Sequence, residues 1–90
     1  MGEISENLQK QLSAADITET SPFQLIVTLT KNSDWSEGLR LVQEVGLDVS
    51  SYEKEISAIF GSATAGAIHR LIKISDVNLV ELDETITAIK

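Results

Sequence analysis

Ninety residues, 42% of them hydrophobic and 23% charged, make one small domain. Its core must come from Ile, Leu, Val and Ala, because Phe23, Trp35, Tyr52 and Phe60 are its only aromatics. Seven basic against fourteen acidic residues leave a net charge of −7, which repels phosphate backbones and anionic lipid and counts against nucleic acid and membrane as partners.

The chain has no cysteine, so neither a disulfide framework nor a thiolate metal site is available. The opening MGEISENLQKQ lacks the basic start and apolar run of a signal peptide, and no apolar run nears the roughly 18 residues of a membrane span. The expected compartment is cytoplasmic.

Residues 3–15 place Ile4, Leu8, Leu12 and Ala15 on one side, with Glu, Asn, Gln and Lys elsewhere. That spacing predicts a helix with a narrow apolar stripe, marginal by itself at about four turns. Residues 1–21 are therefore expected to be a helical arm and linker, and residues 22–90 the main domain. The arm docks on the domain, pairs with a second copy through Ile4, Leu8 and Leu12, or frays. DITETSP reads as linker, closed by Pro22.

FQLIVTLTK is the clearest strand. Phe23, Leu25, Val27 and Leu29 share one face, while Gln24, Ile26, Thr28 and Thr30 share the other. Ile26 on the second face points to a sheet with one fully covered side. NSDWSEGLRLVQEVG predicts an amphipathic helix, with Trp35, Leu39 and Val42 in line and Leu41 and Val45 beside them. Ser33 or Asp34 caps its start, Asp34 and Glu37 have capping-box spacing, and Gly46 supplies the stop.

LDVSSYEKEISAIFGSAT parses as two strands, about 48–55 and 57–63, with a tight connection near Glu55–Ser57. Gly61 marks either a bulge or a close backbone approach. AGAIHRLIKIS predicts a second helix buried through Ile68, Leu71 and Ile72, and VNLVELDETI the last strand. The order β-α-β-β-α-β predicts an α+β fold, the ferredoxin-like plait: a four-stranded antiparallel sheet with both helices on one face. The other face is left open, and open faces are where such domains meet partners.

Little here can carry catalysis. Ser62, His69 and Asp76 recur at intervals of seven, but a strand residue and one beyond the helix end do not make a triad in hydrogen-bond contact. His69 reads as a solvated helix residue. Glu53 and Glu55 share one strand face as an acid/base pair would, though an exposed alternation of charges explains them better. One His among scattered carboxylates has no metal-ligand spacing. Neither an enzyme nor a metal or cofactor site is expected.

The ending carries the remaining signal. Val80-Glu81-Leu82-Asp83 follows the helix with Ile68, Leu71 and Ile72 and a short Asp76-Val77 turn, and Ile59-Phe60-Gly61-Ser62-Ala63 lies ahead of it. On these residues the stretch from about Phe23 to Lys90 resembles the propeptide domain of subtilisin-like serine proteases. That family acts as folding chaperone and inhibitor.

The resemblance implies that the outer sheet face packs on two parallel protease helices, with Glu81 and Asp83 capping their N-termini, where unpaired N–H groups and a partial positive charge favour carboxylates. It also implies that a tail of Ile86, Thr87, Ala88, Ile89 and Lys90 lies in the substrate cleft as an extended strand. Ile89 would enter the main specificity pocket, or Lys90 one register on. The partner would be a subtilisin-like serine protease. Two other readings stay open, beside a ligand-binding regulatory domain, for which no convergent polar groups can be named. In one, Val80 and Leu82 face the core and the two acids merely face water. In the other, the chain is a small self-associating interaction module with no inhibitory activity, a homo-oligomer.

Overall fold

A computed structural model of the chain describes residues 3–14, 22–31 and 34–83. Its elements are β1 (Glu3–Ile4), α1 (Glu6–Ala14), β2 (Phe23–Leu29), α2 (Trp35–Glu44), β3 (Asp48–Glu53), a 3-10 turn (Lys54–Ile56), β4 (Ala58–Ala63), α3 (Ala65–Leu71) and β5 (Val77–Leu82). The α+β class is as expected, but the sheet has five strands, in the order β1-β5-β2-β4-β3. The four-stranded, wholly antiparallel expectation fails at β1, which pairs parallel to β5 with Glu3 opposite Leu79 and Ile4 opposite Val80.

The predicted helix over 3–15 therefore begins later. Ser5 ends β1 by donating its N–H to the Val80 carbonyl at 2.9 Å, and its hydroxyl then accepts from Leu8 N at 3.4 Å. A serine that can satisfy an orphan helix donor starts the helix there. Upstream, Ile4 reaches the core from a strand instead. Leu8 has no exposed area and sits in the main core, with Ile4 and Leu12 packed against it. The segment expected to be an arm is part of the core, and the rest of the expected linker, residues 15–21, lies outside the described residues.

Leu25, Val27 and Leu29 of β2, Ile59 and Ala63 of β4, and Val77 and Val80 of β5 form one buried cluster with Leu8, Val42, Ile68 and Leu71 of the helices. All three helices thus pack on the same face of the sheet. Val77 and Val80 lie three apart and both point inward because the β2–β5 register shifts near Thr28/Leu29, leaving Asn78 without a register partner.

The local chemistry explains most boundaries. Asp34 caps α2, its side chain accepting from the N–H groups of Ser36 and Glu37, while the Glu37 carboxylate pairs with Arg40. Gly46, at φ 119°, takes the turn after the helix as its lack of Cβ permits. β3 and β4 stop short of their expected meeting because Lys54–Ile56 form a 3-10 turn and Ser57 adopts the left-handed conformation at φ 55°. The helix expected over 65–75 is capped by Thr64 and ends at Leu71. Ile72 and Ile74 both pack against the core, and residues two apart point about 200° away from each other on a helix. Only the turns that follow Leu71 let both face inward.

Gly61 is a site of close approach. A Cβ there would fall 3.1 Å from Val49 Cα and closer still to the Asp48 carbonyl. The irregularity itself lies opposite, in β3, where Val49 faces Gly61, Ser51 faces Phe60 and Ser50 is the extra residue. Ser50 Oγ donates to the Phe60 carbonyl at 3.1 Å, which holds the bulge.

Candidate functional site: the open face of the sheet

With the described helices all on one side, the other side of the sheet is the feature left to assign. Strand registers fix what it presents. One row across the sheet reads Glu81, Ile26, Phe60, Ser51; the next reads Glu3, Leu79, Thr28, Ala58, Glu53. A third begins at Asp83, whose N–H donates to the Gln24 carbonyl at 2.8 Å, and continues through Gln24, Ser62 and Asp48. Ile26, Phe60 and Leu79 are only partly buried and stand apart from the main core. They form a short apolar strip over the three central strands.

The strip is flanked by acid on both sides. Glu3, Glu81 and Asp83 occupy one side of the face and Asp48 and Glu53 the other. No Lys, Arg or His occurs in any of the five strands. Among the described residues, Lys10, Arg40 and Arg70 belong to the helices and Lys31, Lys54 and Lys73 to turns. Arg40 is held by Glu37 and Glu44 on α2; the hydrogen bond to Glu37, then the charges of both carboxylates, raise its pKa above the ordinary value.

The residues singled out in the sequence fall as follows. Glu81 and Asp83 are together on the open face, two residues apart at the β5 edge of the strip. Ile86, Thr87, Ala88, Ile89 and Lys90 lie outside the described residues. Ile4, Leu8 and Leu12 face the chain's own core, so in this fold the stripe offered for self-association is occupied internally. Ser62 is on the open face, whereas His69 is exposed on α3 behind the sheet and Asp76 sits in the turn before β5; the sheet separates the nucleophile from the base. Glu53 and Glu55 do not share a strand face either, since Glu55 lies in the 3-10 turn.

Three features were not read from the sequence. Asp48 and Glu53 as a second acidic rim is one. Tyr52 packed on Trp35, ring centroids 5.6 Å apart, is another. The third is an open groove of about 640 Å³ at the end of the sheet, lined in part by Thr28, Lys31, Glu55, Ile56 and Asn78. It contains no buried charged or polar side chain and so no fixed recognition group. Among the described residues no cluster of three His, Cys, Asp or Glu could hold a metal ion, and no helix is long and apolar enough to cross a membrane.

Neither a family model nor a curated protein sequence matches the chain.

Proposed function

We propose that the chain is a non-enzymatic binding module, a ferredoxin-like plait with an added edge strand, that docks on a subtilisin-like serine protease as propeptide domains do. One observation carries the reading: Glu81 and Asp83 stand two residues apart on the face that no described helix covers, next to the apolar strip of Ile26, Phe60 and Leu79. The order β5-β2-β4-β3, with α2 and α3 as the intervening helices, supports the plait. In the proposed complex the strip excludes water against the partner, and the two carboxylates accept from the free N–H groups at its helix N-termini. By the resemblance, the tail 86–90 would be the part that enters the cleft. Self-association through Ile4, Leu8 and Leu12 draws no support from a packing in which Leu8 is fully enclosed.

The test is a titration of a broad-specificity subtilisin with the full chain, with a form ending at residue 85, and with Glu81→Gln/Asp83→Asn. Stoichiometric inhibition by the full chain and loss of it in the shortened form is expected. The double substitution should weaken the complex by about 0.6–4 kcal/mol, at roughly 0.3–2 kcal/mol for each helix-terminus contact. Digestion of the full chain without inhibition would end the reading.

A further inference from the structure

We infer that the open face is built to hold a cationic amphipathic helix of another protein, with Asp48 and Glu53 as a second set of recognition residues opposite Glu3 and Glu81. The inference concerns charge selection by the whole face and does not require the partner to be a protease.

The argument begins with sign. Charged residues at sheet edges commonly serve to prevent edge-to-edge pairing, and that task accepts either sign, with lysine the usual choice. Here the strands carry Glu3, Asp48, Glu53 and Glu81 and no basic residue at all. Every one of those four lies on the open face, and none on the helix face.

Placement adds to sign. Asp48 and Glu53 are five residues apart, so a regular strand would send them to opposite faces. The extra residue Ser50 corrects the parity: Asp48 stands opposite Ser62 and Glu53 opposite Ala58, four residues apart on β4 and therefore on one face. The bulge thus completes the second rim.

Dimensions then select the occupant. Glu3 on β1 and Glu53 on β3 belong to the same row, four strand spacings apart, or about 19 Å. A helix with its side chains is about 10–12 Å across. Laid parallel to the strands over β2, where it crosses the strip of Leu79, Ile26 and Phe60, it leaves a few ångströms on either side before Glu3 and Glu53, which lysine or arginine side chains can bridge with their apolar stems over the sheet. A second copy docking face to face would instead set rim against rim, acid on acid. Nucleic acid and anionic lipid are repelled by the same charges.

The experiment uses the intact chain labelled with nitrogen-15 and a 14-residue helical peptide of lysine and leucine, beside its glutamate and leucine counterpart, at low ionic strength. Amide shifts should concentrate in β2, β4 and β5 on adding the lysine peptide, and the glutamate peptide should not bind. Asp48→Asn/Glu53→Gln should lower the affinity about threefold to tenfold, as expected for two exposed charge pairs. The control, Glu6→Gln/Glu44→Gln, removes the same charge from the helical layer and should change it less than twofold. Equal losses in the two variants would mean that net charge alone attracts the peptide, and shifts centred on the helices would place binding elsewhere; either overturns the inference. Self-association of the free chain at neutral pH through β2 and β4 would do the same. A form ending at residue 85 should bind the peptide unchanged, which separates this outcome from failure of the protease titration.

Discussion

Replacing Leu8 by Ala tests whether residues 3–14 belong to the domain. Leu8 has no exposed area and joins the cluster that contains Val27, Ile68 and Val80. Removing three carbons from such a site costs the transfer energy plus a cavity, about 2–5 kcal/mol for Leu→Ala in cores. α1 lies at the β5 side of the sheet and can settle partly into the space, so we expect the lower half, about 2–3 kcal/mol. A chain of ninety residues has a total stability of about 5–13 kcal/mol. With a urea slope of about 1 kcal/mol per molar for a small domain, the midpoint should fall by about 2–3 M. Chemical denaturation followed by Trp35 fluorescence reads this directly, Trp35 being the sole tryptophan. An independent arm would behave as a surface segment, with a change within about 0.5 kcal/mol. A midpoint within 0.5 M of the parent, on about the slope used above, would therefore refute the docking of α1.

Two further stability outcomes follow from single contacts. Gly61→Ala should cost about 1–3 kcal/mol, as overpacking does, because the new methyl meets the Asp48 and Val49 backbone; thermal unfolding checks the loss, and the Trp35 emission should shift as β3 and Tyr52 move. Asp34→Ala should cost about 1 kcal/mol through loss of the cap on Ser36 and Glu37, and Asp34→Ser should recover most of it. A null result at Asp34 would remove the cap from the account of why α2 starts there.

Parts of this fold are legible in the chain because their signals are local. β2 alternates strictly, and α2 carries a cap, a stripe and a glycine stop within fifteen residues. The misses have physical causes at identifiable residues. β1 is two residues long, too short for any period, and its hydrogen bonds come from β5 more than seventy residues away in sequence. The β3–β4 connection hides behind Ser57, which takes a left-handed conformation without the glycine or asparagine that usually announces one. Glu81 and Asp83 are legible on one face because they alternate within a regular stretch. Asp48 and Glu53 are not, because parity across the Ser50 bulge can only be counted once β4 is known to lie alongside.

The two faces of the sheet answer to different physics, and that makes their roles separable. Leu25, Val27 and Ile59 are fully enclosed beneath the helices, so change there is felt as lost burial and cavity. Glu81 and Asp48 sit on the face that no described helix covers, where an isosteric neutral substitution removes charge and little packing. Stability should therefore follow the inner face, and association the outer one. Phe60 is the informative exception: it is half-buried, ends the strip on β4, and lies between Ile26 on one neighbouring strand and Ser51 on the other. Covering it with a partner would bury apolar area that folding alone leaves wet, a gain roughly proportional to that area. A domain that needed its sheet only as a floor for three helices would be equally served by a polar residue there.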